Sequence, residues 1–315
     1  MTADAGTAVG SGAAGPGATE GLVVVDKEPG WTSHDVVARC RRLFGQRRVG
    51  HAGTLDPDAT GVLLVGLGRS TRLLRFLTAL PKTYRAEVVL GVATRTLDAS
   101  GEVVGEWDMS AVTPSQVASA AADLTGELQQ IPPMVSAVKV GGRPLYRLAR
   151  QGVEVERNPR PVTVHRFEVE PTGDPLVYRM DVECSSGTYV RVLAADLGAA
   201  LGGGAHLRNL RRTRIGSFDE SEARTLSAIA DELASPATGS GLVLSPAGAM
   251  RDLPCLDAGT EVARLVARGL PLDRVPLGAT GPGPWALIDG RGRLLAVYEA
   301  TETDRIKPAV VLAAR

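Results

Sequence analysis

The residues with the clearest chemical potential lie in one short polar segment, Gly50 to Gly61. The segment reads Gly-His-Ala-Gly-Thr-Leu-Asp-Pro-Asp-Ala-Thr-Gly. Asp56 could act as a nucleophile, because an ionised carboxylate can form a covalent intermediate. An isolated Asp-Pro pair, here Asp56-Pro57, more often caps a helix or begins a turn. The segment therefore allows both a catalytic and a local structural interpretation.

A metal site is the main chemical alternative for this segment. Asp56, Asp58 and Thr60 have the spacing that opens a calcium-binding loop. Such a loop requires a bidentate glutamate as its twelfth residue, and Leu67 occupies that position. The three cysteines of the chain form no Cys-x-x-Cys pair, so neither a zinc site nor a disulfide framework is expected. The sequence therefore predicts no metal, and unpaired cysteines favour a reducing, cytoplasmic compartment.

Basic residues are clustered, although the 315-residue chain has a formal net charge of zero. Clustered cations can neutralise phosphates and release counterions even in a neutral chain. The competing interpretation is a set of solvated helix faces, but three clusters together favour a nucleic-acid partner. The three acid-free clusters are Arg39, Arg41, Arg42, Arg47 and Arg48; Lys139, Arg143, Arg147 and Arg150; and Arg208, Arg211, Arg212 and Arg214.

Alternating helices and strands must position these residues. Hydrophobic periodicity and turn residues define the elements, and Ser33 is the predicted cap of the first helix. The predicted strands are 21–27, 62–65, 84–91, 162–169, 178–184, 284–288, 294–298 and 309–312. The predicted helices are 33–44, 71–79, 114–126, 145–151, 190–201, 226–233 and 260–268. This order predicts an α/β (α+β) fold followed by a small, mostly β module.

The ends and the hydropathy of the chain limit its organisation. Residues 1–20 are rich in Ala and Gly without a basic or apolar block, which predicts a disordered tail rather than a signal peptide. No apolar run reaches about 18 residues, so no membrane span is expected. We place the main domain at 21–250, with a basic excursion at about 131–160, and the small module at 251–315.

The segment from Gly50 to Gly61 resembles the second motif of the TruB family of pseudouridine synthases, bacterial enzymes that modify position 55 of tRNA. Five other segments resemble further motifs of that family, in the same chain order: Asp26–Asp35, Lys82–Ala86, Ile131–Lys139, Ser186–Arg191 and Gly204–Arg212. The resemblance spans residues 22 to about 220. It implies a pseudouridine synthase fold with a mainly antiparallel central sheet, a PUA-like module at 251–315, and an isomerisation that needs no cofactor.

The resemblance also assigns roles to individual residues. Asp56 is implied to be the nucleophile, and Arg191 to pair with its carboxylate and keep it ionised. Tyr84 is implied to stack on the flipped uracil. Three further residues are implied to form or border the same pocket: Tyr189, Leu210 and Lys27. The order of bond making stays open among attack at C6, attack at C1′ and a glycal route.

Recognition of tRNA is implied for the basic residues. His51 would fill the gap left by the extruded base, and the excursion at about 131–160 would close over the T-loop. The residues expected to contact RNA are Lys139, Arg143, Arg147, Arg150, Arg208, Arg211 and Arg212. Guide-dependent relatives lack such an excursion, so a monomeric, guide-independent enzyme is expected. Two alternatives stay open: a non-catalytic tRNA-folding chaperone and a base-excising glycosylase.

Overall fold

The computed structural model describes residues 19–136, 138–235 and 241–312, and the tail predicted at 1–20 lies outside these ranges except for its last two residues. The helices are α1 Ser33–Leu43, α2 Leu74–Ala79, α3 Pro114–Asp123, α4 Leu145–Arg150, α5 Val190–Ala200, α6 Leu226–Ala234, α7 Pro246–Ala249 and α8 Thr260–Ala267. The strands are β1 Gly21–Lys27, β2 Val49–Ala52, β3 Thr60–Leu67, β4 Lys82–Leu90, β5 Val92–Thr94, β6 Val103–Glu106, β7 Gly126–Gln130, β8 Lys139–Val140, β9 Arg143–Pro144, β10 Arg160–Pro171, β11 Val177–Cys184, β12 Ala205–Ile215, β13 Phe218–Asp219, β14 Cys255–Asp257, β15 Leu272–Asp273, β16 Trp285–Ile288, β17 Leu294–Ala300 and β18 Arg305–Val311.

The main sheet has the order β1-β3-β12-β4-β11-β10-β7. Its neighbours pair antiparallel except for β12 and β3, which are parallel, so the predicted mixed, mainly antiparallel sheet is confirmed. Strand β4 buries every second residue, including Tyr84, Ala86 and Val88, because alternate side chains of a strand point to one face. That face forms a hydrophobic core with helices α3 and α5.

The central strand β12 is the main element that the sequence analysis did not predict. It contains four arginines and lacks the alternation that marks a half-buried strand. Its register shifts between Arg208 and Arg211, where Asn209 has a left-handed φ of 54°. This bulge explains the irregular pattern, because an extra residue re-aims the side chains that follow it.

Helix α1 begins one residue away from the predicted cap. Thr32 rather than Ser33 is the N-cap, and it forms a reciprocal capping box with Asp35, which satisfies two main-chain donors at the helix start. Ser33 is buried instead. Its Oγ accepts from the Leu55 N–H at 2.9 Å and donates to the Leu55 carbonyl at 3.2 Å. The start of α1 therefore holds the chain immediately before Asp56.

A second sheet near the C-terminus has the order β14-β16-β17-β18-β15. Its own core surrounds Trp285 and Tyr298. Its other apolar side chains, such as Val297, pack with Leu22 and Leu64 of the main sheet. In the part of the chain that the structure describes, no helix is long and apolar enough to cross a membrane.

Candidate active site

Asp56 lies in the loop between β2 and β3, and the buried Lys27 side chain donates hydrogen bonds to the backbone of that loop. The Lys27 Nζ donates to the carbonyls of Ala59 at 2.5 Å, Pro57 at 2.8 Å and Glu28 at 3.0 Å. Burial lowers the pKa of Lys27 to about 8. The sequence analysis placed Lys27 at the pocket. Its side chain is fully buried and stands outside the lining of both cavities beside Asp56, because its ammonium is used to fix the loop backbone.

Arg212 fixes the other end of the same loop. Its guanidinium donates to the carbonyls of Val62 at 2.8 Å, Gly53 at 3.1 Å and Thr54 at 3.5 Å. Only 1% of the side chain is exposed, and burial lowers the pKa of Arg212. The guanidinium is buried beneath the loop and faces its carbonyls, and Arg212 also lines the cavity that Asp56 and Tyr84 border. Its expected contact with RNA stays a prediction.

Arg191, the second residue of α5, joins the Asp56 loop to two other segments. Its Nε lies 2.9 Å from the Asp56 carboxylate, and its Nη1 lies 3.4 Å from that of Asp98. Nη1 also donates to the Thr96 carbonyl at 2.7 Å, and Nη2 to the Val135 carbonyl at 2.8 Å. The side chain of Arg191 is 5% exposed while that of Asp56 is 41% exposed. The expected ion pair is therefore present, with its cation buried and its anion open to the cleft.

The pKa of Asp56 is shifted upward, although its carboxylate is paired with Arg191. Burial in the cleft raises the pKa of Asp56, and the neighbouring Asp98 raises it further. Arg191 and Lys27 oppose this rise, but the net direction is upward. Arg191 therefore aims the carboxylate and only partly offsets the cost of its charge, because desolvation is the largest effect.

Asp98 is a site residue that the sequence analysis missed. Its Oδ1 accepts from Thr96 Oγ1 at 2.6 Å, Ser100 Oγ at 2.6 Å and the Ser100 N–H at 3.1 Å. Leu97 before it has a left-handed φ of 65°, a conformation that is costly for a leucine. The run Thr-x-Asp-x-Ser is a signal for such a side-chain turn, but nothing local to it indicates Arg191.

Two cavities flank the ion pair of Asp56 and Arg191. The first has a volume of about 400 Å³ and is lined by Tyr84 and Tyr189. The second has a volume of about 460 Å³ and is lined by Asp98 and Arg208. Leu210, aimed by the bulge in β12, lines both. Tyr84 is 9% exposed, and burial raises its pKa although Arg212 opposes this, so its phenol is neutral at pH 7. The first cavity can therefore hold a planar base between aromatic and apolar walls.

His51 is the third residue of β2 and is partly buried. Its ring meets that of His34 edge to face, with centroids 5.5 Å apart. Burial lowers the pKa of His51, and its buried Nδ1 has no hydrogen-bond partner among the described residues. The ring is thus uncharged at pH 7 and suits packing better than ion pairing.

The other residues expected to bind RNA fall into distinct environments. In the excursion, Arg143 and Arg147 are exposed, and Arg143 donates to Gln151 Oε1 at 2.9 Å. The side chains of Lys139 and Arg150 lie outside the described part. Arg208 pairs with Glu87 at 2.6 Å. Arg211 contacts Asp26 and Glu220, each at 3.0 Å, and these acids raise its pKa, so its charge is already matched within the protein.

Within the described ranges, no group of three or more His, Cys, Asp or Glu side chains is arranged to hold a metal ion. The Asp56, Arg191 and Tyr84 side chains line one cavity. A buried cation orients a carboxylate beside a cavity of base-like shape. That arrangement suits nucleophilic attack on a nucleotide that has left its stack.

Two family descriptions match consecutive parts of the chain. "TruB family pseudouridylate synthase (N terminal domain)" matches residues 41–190, and "tRNA pseudouridylate synthase B C-terminal domain" matches residues 191–251. The tRNA pseudouridine synthase B of Mycobacterium ulcerans (strain Agy99) is 46% identical over 302 residues, which cover 95% of this chain and 97% of that protein. The tRNA pseudouridine synthase B of Arthrobacter sp. (strain FB24) is 47% identical over 305 residues, which cover 93% of this chain and 96% of that protein.

Solved structures show the same fold. A chain in the crystal structure of a Cbf5-Nop10-Gar1 complex is 27% identical with a TM-score of 0.75, and the match covers 94% of this chain and 85% of that chain. A chain in an H/ACA RNP bound to a substrate RNA containing 2′-deoxyuridine has a TM-score of 0.72 at 24% identity, over 94% of this chain and 86% of that one.

Proposed function

The chain belongs to the TruB family of pseudouridylate synthases, and from that premise we propose that it isomerises uridine to pseudouridine at position 55 in the T-loop of tRNA. One observation carries the assignment of the site: the Asp56 carboxylate, paired with Arg191 at 2.9 Å, borders the cavity that Tyr84 lines. A nucleophile, its orienting cation and an aromatic wall thus meet at one place.

The reaction breaks the N1–C1′ bond of the nucleotide, turns the uracil and joins its C5 to C1′. C5 loses its proton and N1 takes one up, so no atom is gained or lost overall and no redox change occurs. Asp56 is the nucleophile, at C6, at C1′ or after glycal formation, and Arg191 aims its carboxylate. Tyr84 and Tyr189 stack against the detached base and Leu210 completes the apolar wall, so that the uracil turns without leaving.

Access to the target needs extrusion of the nucleotide from a folded loop, which costs unstacking energy. His51 offsets part of that cost by filling the gap, and its uncharged ring suits this role. Residues 131–159 leave the main sheet between β7 and β10 and carry Arg143 and Arg147. They supply the grip on the T-arm, so no guide RNA is required. We infer that the protein acts as a monomer in the cytoplasm, where unpaired cysteines persist.

The test compares Asp56→Asn with the wild type on a T-arm RNA that carries tritium at uridine C5. Pseudouridine formation releases this tritium, because C5 becomes bonded to C1′. We expect the variant to lose at least about a thousandfold in rate, since a neutral amide is not a nucleophile. Asp108→Asn is the matched control: it removes an exposed carboxylate outside the lining of both cavities, and its rate should stay within about threefold of the wild type. Appreciable turnover by Asp56→Asn contradicts the assignment.

A further inference from the structure

Gln130 lies at the base of the excursion and is not used by the mechanism described above. It is the last residue of β7, and its Cα partner across the ladder is Arg160, the first residue of β10. The chain therefore leaves the sheet at Gln130 and returns opposite it. Its side chain is buried, with 3% exposure, whereas the neighbouring Gln129 is exposed on the other face of the strand.

The Gln130 amide makes a two-point contact with the backbone of Tyr189. Its Oε1 accepts from the Tyr189 N–H at 2.7 Å, and its Nε2 donates to the Tyr189 carbonyl at 3.2 Å. Tyr189 is the N-cap of α5 and has no side-chain cap of its own. The carbonyl also receives the N–H of Val192 from the helix. Gln130 is the acceptor for the Tyr189 N–H, and a partly buried donor that is left without an acceptor is costly.

A second bond ties the same two segments together. Arg191 Nη2 donates to the carbonyl of Val135, five residues beyond Gln130, at 2.8 Å. The start of α5 is thus fastened to the start of the excursion at Tyr189 and again at Arg191. A shift of the excursion at its base is transmitted to the residues that line the cavity and aim Asp56.

We propose that Gln130 is a positioning residue, which couples the base of the RNA-gripping excursion to the wall formed by Tyr189 and Arg191. The inference rests on the proposed function. Gln130 touches no reacting atom; it acts by fixing where α5 begins. Small displacements of an orienting group reduce the rate of the chemical step more than they reduce binding. A loss of rate without a loss of affinity therefore distinguishes a positioning residue from one that only packs in the core.

The first experiment measures single-turnover tritium release and tRNA binding for Gln130→Ala, with Gln129→Ala as the matched control. We expect Gln130→Ala to lower the single-turnover rate constant at least about tenfold while the tRNA Kd stays within about threefold. Gln129→Ala should match the wild type in both. A wild-type rate constant for folded Gln130→Ala, or a loss confined to Kd, overturns the proposal.

The second experiment uses the isosteric change Gln130→Glu and a pH profile. An ionised carboxylate still accepts from the Tyr189 N–H but repels the Tyr189 carbonyl. A protonated carboxyl has one donor and one acceptor and restores both contacts. The rate relative to the wild type should therefore recover as pH falls through the pKa of the introduced carboxyl. Gln129→Glu should show a flat ratio. A flat ratio for Gln130→Glu as well contradicts the two-point contact.

These outcomes separate the two hypotheses. If the wild type releases no tritium from any tRNA or T-arm RNA, the proposed function fails. If the wild type and Gln130→Ala release tritium with equal rate constants, only the role of Gln130 fails. A melting transition above the assay temperature, measured by circular dichroism for Gln130→Ala and Gln129→Ala, confirms that folded protein is compared.

Discussion

At the scale of single residues, the site is built around a carboxylate that is costly to charge. Burial raises the pKa of Asp56, and Asp98 competes with it for Arg191. Two carboxylates on one guanidinium keep the cation centred, but their mutual repulsion favours the protonated form of Asp56. The pKa of Asp56 therefore lies above the ordinary value for an aspartate, because Arg191 only partly offsets desolvation and the charge of Asp98.

Asp98→Asn tests this arrangement through the pH dependence of the single-turnover rate. Asp56 attacks in its ionised form, so the rate rises with pH through its pKa. Loss of the Asp98 charge lowers that pKa, and the acid limb of the profile should move to lower pH. The plateau should fall at least about tenfold because Arg191 loses a partner that orients it.

The exposed Asp108 provides the control for that profile, since Asp108→Asn leaves the cleft unchanged. Its acid limb and plateau should coincide with those of the wild type. An acid limb that stays in place or moves to higher pH in Asp98→Asn contradicts the electrostatic coupling of the two carboxylates.

At the scale of elements, strand β12 decides the geometry of the catalytic loop. It lies between β3 and β4, and the bulge at Asn209 separates two kinds of arginine on it. Arg208 is exposed and pairs with Glu87, while Arg212 is buried beneath the loop. Arg208 thus lies at the cleft surface, whereas Arg212 donates hydrogen bonds to the loop backbone.

Arg212→Met should destabilise the protein far more than Arg208→Met. The first change leaves the carbonyls of Gly53, Thr54 and Val62 without their shared donor, at a cost of about 3 kcal/mol or more. The second removes one exposed ion pair, worth about 1 kcal/mol or less. Equilibrium unfolding in urea measures both. Equal losses in the two variants contradict the positioning role of Arg212.

At the scale of the whole molecule, a chain with a formal net charge of zero contains local clusters of basic residues. The excursion carries exposed Arg143 and Arg147. Elsewhere, Arg211 pairs with Asp26 and Glu220. Net charge therefore says little about the partner of this protein, because phosphate binding depends on local clusters of cations.

The salt dependence of tRNA binding should show whether Arg143 and Arg147 contact RNA phosphates. Each phosphate contact contributes about 0.7–0.9 to the slope of log K against log salt. The double change Arg143→Gln with Arg147→Gln should therefore reduce the slope by about 1.5. The control Arg179→Gln with Arg264→Gln removes two arginines that pair with acids elsewhere and should leave the slope unchanged. Equal effects of the two double variants contradict an RNA contact by the excursion.

The sequence by itself determined the local helices and strands, and it showed which short motifs contain the candidate functional residues. Strand β4 with Tyr84, helix α5 with Arg191 and the loop with Asp56 were all predictable, because alternation, caps and turn residues act over a few positions. The resemblance to one family added that the three belong together. It could not show which side chains serve the substrate and which serve the loop.

Only the tertiary structure decided those assignments. The sequence analysis placed Lys27 at the pocket and Arg212 among the residues that contact RNA, and in the structure both are buried donors to the Asp56 loop. Asp98 and Gln130 carry no local signal for Arg191 and Tyr189, because their contacts arise from the docking of distant segments. The bulge in β12 disrupts the alternation of side chains, so the central strand could not be predicted from the sequence. Burial and long-range hydrogen bonding, which short sequence windows do not contain, made the difference.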